Sequence, residues 1–404
     1  MRETLVVLSL ICIFITGTLE QDDRLGCQIL DDNEKFVFVD WYVLFKPAGK
    51  VHLTGLGLKD AEDRNDKNEE NKEGNTEKKN DDENNPGEGD NEVKKSEQSD
   101  TKSKDPKDDL IQIYVKSISN KTESPLYATL EKLLVALPDE SLECRQQKQN
   151  AGGISYVIFN DQLPTSLGFA THGSSKGVIA LKGESGFFLT HSAPGFPRIS
   201  NEYEWPDHLT RQAHLFVCLD VNGEELKSIA NQLSYASPLI YASGFAYEED
   251  TSGPLQSLRE DEMTTTPPSR FYVQSRPNKP PTAFIFKHQS FNTDLASEVA
   301  STLSRPLIVF SGTSATRYNR LDIVCTKNRS IEHVSSATIS GTYWMPHAGG
   351  ASWAVSKQKD MFCLLSQGRT VDEKVQSGMA VCIYDGDKNI TSLLAPKDAR
   401  IMKC

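Results

Sequence analysis

Residues 171–198 read Thr171-His172-Gly173-Ser174-Ser175-Lys176-Gly177-Val178-Ile179-Ala180-Leu181-Lys182-Gly183-Glu184-Ser185-Gly186-Phe187-Phe188-Leu189-Thr190-His191-Ser192-Ala193-Pro194-Gly195-Phe196-Pro197-Arg198. Two apolar runs, Val178–Leu181 and Phe187–Leu189, flank Lys182-Gly183-Glu184-Ser185-Gly186. A short glycine-bearing turn between apolar runs predicts a β-hairpin. Its polar ends collect His172, Lys176 and His191. A cation and imidazoles held on rigid strands suit a phosphate group.

The segments on either side continue the pattern. Gly153–Asn160 and His214–Leu219 read as strands, and Leu226, Ile229, Ala230 and Leu233 mark one face of a helix that begins after Asn222-Gly223. Further upstream, Phe36–Phe45 is apolar at odd and even positions, which predicts a strand covered on both faces. Leu110–Val115 is another strand, followed by a helix carrying Leu126, Leu130, Leu133, Leu134 and Leu137 between Ser124-Pro125 and Pro138. Downstream, residues 250–281 are rich in Thr, Ser and Pro and read as a long surface loop between two halves, 21–249 and 282–404. The second half restarts with a strand at Phe284–Lys287, a helix marked by Leu295, Val299 and Leu303, and a strand at Leu307–Phe310. It then runs through Thr342–Val355 into a cysteine-bearing tail. Alternating strands and helices predict an α/β fold.

The 404 residues are enough for a substantial core. Arg2, the apolar run Leu5–Ile15 and the small residues Thr16-Gly17-Thr18 have the layout of a cleaved signal peptide over residues 1–20. That run is too short to span a bilayer and no later run is long enough, so a secreted or lysosomal protein without a membrane anchor is expected. Of the 8 cysteines, Cys12 lies in the signal segment. The other seven are widely spaced without Cys-x-x-Cys or His pairs, a pattern of disulfides rather than metal ligands. An odd count leaves one thiol over. Sequons at Asn120, Asn328 and Asn389 fit the secretory route. The formal charge of −12 is concentrated in residues 60–109, where 19 acidic residues face 10 basic ones. With almost no apolar side chains, the stretch 59–109 is expected to be a disordered acidic insert. Overall acidity therefore does not exclude a polyanionic ligand for the rest of the chain.

Several segments, taken in order, resemble the landmarks of the deoxyribonuclease II family. They are Asp40–Lys46, Phe159–Pro164, Gly173–Val178, Gly186–Pro197 and Tyr203-Glu204-Trp205-Pro206. The resemblance implies a fold like the phospholipase D superfamily: a pseudo-twofold pair of α/β halves with mixed α+β sheets, each giving one His-x-Lys motif to a shared site. It also implies DNA cleavage at acid pH without metal or cofactor, leaving 3′-phosphates. In that chemistry one imidazole attacks phosphorus, the other protonates the leaving 5′ oxygen, and two lysines hold the non-bridging oxygens.

The motifs depart from the family's pattern. Where the first reads Gly-His-x-Lys-Gly, this chain has Gly173-Ser174-Ser175-Lys176-Gly177, so Ser174 takes the histidine position and Lys176 remains. His172 lies ~6.6 Å further along an extended chain. Where the second reads Asp-His-x-Lys-Trp, anchoring on Trp353 places Gly350 at the histidine and Ser352 at the lysine. His347 is three residues upstream, and Lys357 follows on the wrong side of Trp353. The family's further histidine, in His-Ser-x-Pro, persists as His191, either to position substrate or as a polar residue satisfied at the hairpin's end. The resemblance also implies the pairs Cys27–Cys218, Cys325–Cys404 and Cys363–Cys382, with Cys144 left over.

Three readings stay open. One is a secreted pseudoenzyme that still holds DNA or another polyanion through Lys176. Another is an acid endonuclease with a rearranged site using His172, His191 or His347. The third is a secreted protein that binds a protein partner, in an unknown oligomeric state.

Overall fold

The computed structural model describes residues 24–59, 110–136, 153–164, 172–246 except 201, 253–259, 272–273, and 281–404 except 313–318, 349, 387 and 397. The signal segment, the acidic insert beyond Lys59, Cys144 and most of the Thr/Ser/Pro-rich stretch lie outside the described residues. The first part contains β1 (Cys27–Leu30), β2 (Phe36–Lys46), β3 (Leu53–Lys59), β4 (Leu110–Val115), α1 (Pro125–Ala136), β5 (Ser155–Asn160), β6 (Gly177–Lys182), β7 (Ser185–His191), β8 (His214–Asn222), α2 (Gly223–Leu233) and β9 (Leu239–Gly244). The second contains α3 (Pro254–Arg259), β10 (Tyr272–Val273), β11 (Thr282–Lys287), α4 (Leu295–Leu303), β12 (Leu307–Phe310), β13 (Ile331–Ile339), β14 (Thr342–Trp344), β15 (Ser352–Ser356), β16 (Met361–Leu365), β17 (Gly378–Tyr384), α5 (Asn389–Leu394) and β18 (Arg400–Met402).

Local chemistry accounts for the elements that place the site. In the β6–β7 hairpin Lys182 pairs with Ser185, leaving Gly183-Glu184 as a two-residue turn with Gly183 at φ 58. Such turns need positive φ, which glycine adopts without strain. Helix α2 starts where the Asn222 side chain accepts from the Glu225 amide and the Glu225 carboxylate accepts from the Asn222 amide, a capping box that ends β8 in the same step.

The strands form two sheets. The first runs β4-β3-β2-β8-β7-β6-β5-β9 with β1 beside β2, and the second runs β10-β11-β17-β16-β15-β12-β13-β14 with β18 beside β13. Among the described residues β12 and β13 form the one parallel pair. The expected α/β halves with mixed α+β sheets are present, built as two largely antiparallel sheets with few helices. The inner segments β2-β8-β7-β6-β5 and β11-β17-β16-β15-β12 correspond one to one, so the fold is a pseudo-twofold pair. The stretch expected to be loop over 250–281 holds α3, whose Leu255 and Leu258 are buried.

The sheets pack face to face. Trp41, Val43 and Phe45 of β2 and Phe188 of β7 meet Phe284, Phe310, Trp353 and Phe362 in one shared core. The Phe45 and Trp353 rings stand 6.1 Å apart and those of Phe188 and Phe284 5.5 Å apart. Alternate residues Tyr42, Leu44, Phe187 and Leu189 face the outer core under α1, and α4 covers the outer face of the second sheet. This double coverage explains why β2 carries apolar side chains on both faces, with Asp40 and the terminal Lys46 as its two charged residues. Disulfides join Cys27 to Cys218 between β1 and β8, Cys363 to Cys382 between β16 and β17, and Cys325 to Cys404 at the tail. Each contributes a few kcal/mol by restricting the unfolded chain. Among the described residues no helix is long and apolar enough to cross a membrane.

Candidate functional site

The segment 172–176 leads into β6 from the boundary between the two sheets. Gly173 donates its amide to the Ser237 carbonyl at 2.7 Å, and a Cβ there would stand 1.9 Å from the Ala236 carbonyl oxygen, so a side chain has no room. Ser174 reaches the second half. Its amide donates to the Ser377 carbonyl at 3.0 Å, and its Oγ lies 3.0 Å from Ser366 Oγ and 3.2 Å from the same carbonyl. Lys176 is buried; its Nζ lies 2.5 Å from Asp161 Oδ2 and 3.0 Å from the Ser174 carbonyl. His172 is half-buried two residues before Ser174.

His191 ends β7, with its amide on the Lys176 carbonyl at 3.3 Å. Its ring is wedged between Phe196 and Phe216 at 5.5 and 5.9 Å. Nδ1 accepts from the Ala193 amide at 3.2 Å, which puts the proton of the neutral ring on Nε2. That Nε2 has no hydrogen-bond partner among the described residues. Burial, then the charge of Lys176, then His214, hold the imidazole well below its ordinary pKa.

In the second half, Gly350 donates its amide to the Ala213 carbonyl at 3.1 Å. A Cβ at Gly350 would lie 2.9 Å from His214 Cε1 and 2.9 Å from Gln212 Oε1. His214 is fully buried, with Nδ1 3.3 Å from Ser192 Oγ and Nε2 3.0 Å from the Leu209 carbonyl; burial, with the charge of Lys46, pushes it down to about 3. The place where a histidine side chain would begin at 350 is thus taken by an imidazole from the first sheet. Ser352 is buried and accepts from the Gly312 amide at 3.1 Å. His347 is exposed on the turn Pro346–Ala348. Lys357 pairs with Glu332 at 2.6 Å, beyond the opposite end of β15 from Ser352.

The strand registers relate the two halves residue by residue. Gly177 opposite Phe159 and Trp353 opposite Phe310 make Lys176 the counterpart of Ser352, and Asp161 the counterpart of Gly312. Lys46 opposite His214 and Lys287 opposite Gly378 close the equivalent strands. Ser192 exchanges two bonds with Leu215, as Ser366 does with Met379. Ser174 and Gly350 are then equivalent, and each is seated on the other half, at Ser377 and Ala213. Sequence reasoning did not single out Asp161, whose role lies in its pairing with Lys176 in the same half, or His214, Gln212, Ser366 and Ser377, whose roles come from contacts across the two sheets. Only the polar character of these residues next to strand ends hinted at them.

Comparison with known proteins agrees with this geometry. The family description "Deoxyribonuclease II" matches residues 83–395, most of the chain. Plancitoxin-1 of Acanthaster planci is 26% identical over 245 residues, which cover 58% of this chain and 68% of that protein. Deoxyribonuclease-2-alpha of Mus musculus is 33% identical over 99 residues, 23% of this chain and 28% of that protein. Cell-death-related nuclease 7 of Caenorhabditis elegans is 20% identical over 237 residues, 57% of this chain and 64% of that protein. With a family match over most of its length, two corresponding sheets and three disulfides, the chain belongs to the deoxyribonuclease II family.

Proposed function

We propose that this protein is a secreted pseudoenzyme of its family, which holds a phosphate group of DNA without cutting the backbone. The observation that carries the reading is the filled space at the motif positions. Ser174 is tied to Ser366 and Ser377, and the first atom of any side chain at Gly350 meets His214. Hydrolysis through phosphohistidine needs one imidazole placed for in-line attack and another, protonated, at the leaving oxygen. His191 and His214 are buried, and burial lowers both imidazoles from their ordinary values, which opposes the second role. His347 is exposed and lacks a neighbouring lysine at the motif spacing. In this reading the contacts left for a phosphate oxygen are Lys176 Nζ, now paired with Asp161, and the unpartnered Nε2–H of His191. Asp161 competes for Lys176, which predicts weak, salt-sensitive binding.

Supercoiled plasmid incubated with the protein in EDTA between about pH 4.5 and 7 should stay intact, and a gel shift should appear at low salt. Lys176→Ala should weaken that shift about tenfold, the loss of one charge-assisted contact. Cleavage in EDTA that disappears in His191→Ala would sink the pseudoenzyme reading in favour of a rearranged active site. Absence of any shift would favour the protein-partner reading. Secretion is tested separately. Protein made in a secretory host should lose mass on endoglycosidase treatment, with Asn328, on an exposed turn, and Asn120 and Asn389 as acceptors. An unchanged mass would show that these sequons stay unoccupied and remove the support they give to the secretory reading.

A further inference from the structure

The two halves share a feature that the motif chemistry leaves unused. Lys46 is the last residue of β2 and Lys287 the last of β11, and both side chains are fully buried. Burying an ammonium is costly unless its protons are bonded. Lys46 Nζ donates to three carbonyls, of Pro47 at 3.0 Å, Thr210 at 2.9 Å and Gln212 at 2.8 Å. Lys287 Nζ donates to the carbonyls of Glu373, at 3.1 Å, and Gln376. Each lysine therefore fixes the peptide just before the next strand, β8 or β17.

The adjoining carbonyl in each case seats the motif segment of the opposite half. Gln212 precedes Ala213, whose carbonyl receives Gly350; Gln376 precedes Ser377, whose carbonyl receives Ser174. A second link reinforces the latter path, since the Gln289 amide, two residues after Lys287, donates to Ser377 Oγ at 3.0 Å. Ser174 passes the constraint on, because its own carbonyl accepts from Lys176 Nζ. We infer that Lys46 and Lys287 are positioning residues that act crosswise: Lys287 of the second half sets the segment bearing Ser174 and Lys176, and Lys46 of the first half sets the segment bearing Gly350 and Ser352. Successive carbonyls along a chain cannot move independently, so releasing one lysine displaces the seat beside it. The backbone bonds within each sheet are untouched by that release.

Hydrogen exchange on the whole protein tests this without any ligand. Lys287→Met, which keeps the stem and removes the donors, should speed amide exchange in peptides spanning 173–177 about tenfold and leave 350–354 unchanged. Lys46→Met should do the reverse. Acceleration in the lysine's own half alone, in both segments equally, or in neither would overturn the inference. Should a methionine variant fail to fold, Lys→Gln at the same position, which retains N–H donors on a shorter stem, gives the same comparison with a smaller effect. A second arm rests on the DNA-binding reading above: Lys287→Met should weaken the low-salt gel shift as Lys176→Ala does, while Lys46→Met should not. If the unaltered protein shifts no DNA, that reading fails and the exchange pattern still decides the crosswise role.

Discussion

Acidification from pH 7 to 4.5 should cost the protein several kcal/mol of stability. His191, His214 and His333 are buried and enter the fold as neutral imidazoles. Burial is the main cause in all three. The Lys176 charge adds to it at His191, Lys46 at His214, and Arg369 with Arg320 at His333, which sits down to about 4 beside the contacting Arg369 guanidinium. In the unfolded chain each imidazole takes up a proton near pH 6.5. Below that pH the unfolded state binds more protons than the native one, so stability falls as pH falls, until the low native values are reached. Each group can contribute up to about 1.4 kcal/mol per pH unit in that window. Two units for His214 and His333 give a loss on the order of 5 kcal/mol, to which His191 adds in the same direction, comparable to the whole stability of an ordinary domain. Asp294 does not offset this. Although burial raises it, Arg369 at 2.8 Å holds it below its ordinary value, so it stays ionised in both states across the window. Urea unfolding at pH 7, 6, 5 and 4.5 measures the slope, and His214→Gln should flatten it by about one proton's worth. A flat profile would show that the native imidazoles titrate normally.

Restoring the family's motifs by Ser174→His, Gly350→His and Ser352→Lys should lower stability and leave plasmid uncut. At 350 the obstacle is steric. His214 Cε1 lies 2.9 Å from the new Cβ, and both its ring nitrogens are hydrogen-bonded, so the ring has no free rotation to yield. Gln212 Oε1 ends a flexible side chain and can swing away, but the Gln212 backbone is fixed by Lys46. Overpacking of this kind costs about 1–3 kcal/mol, and more when the blocking group is itself bonded. At 352 the obstacle is electrostatic. Lys176 has Asp161 beside it, whereas the counterpart of Asp161 is Gly312, so that position supplies no carboxylate to a new ammonium at this buried site. Adding His214→Gly and Gly312→Asp to the triple variant should recover about 1 to 2 °C of melting temperature, the response expected for about 1 kcal/mol in a chain of this size. Nicking of plasmid at acid pH by the triple variant alone would show that the space is available after all.

Much of the first half was legible in the sequence because its signals are local. The β6–β7 hairpin is specified by one turn and two apolar runs, α2 by its capping residues and α1 by its apolar face, as α4 is in the second half. The hand of the sheets was not legible. Strand and helix patterns alternate along the chain, yet the helices lie on outer faces or at the margins of the shared core, and the strands return antiparallel. Leu53–Lys59 was missed as a strand because Gly55 and Gly57 break its apolar pattern; Gly55 is required there, since a Cβ would sit 2.2 Å from the Val43 carbonyl. In the site, the altered motif positions are linear features and could be read directly. That His214 stands where the side chain of residue 350 would begin, and that Ser174 is bonded to Ser377, depends on the docking of two distant sheets.

The reciprocal seating of Ser174 on Ser377 and of Gly350 on Ala213 also bears on how such a protein drifts. Neither half can be inherited, duplicated or lost as a self-sufficient module, because each carries the cradle for its sibling's motif. A substitution in one motif relaxes selection on residues encoded far away, in the loop that enters β8 or the loop that enters β17. In this chain each cradle is written half in one sheet and half in the other: an imidazole at 214 faces a glycine at 350, and serines at 174, 366 and 377 meet where the other pair would stand.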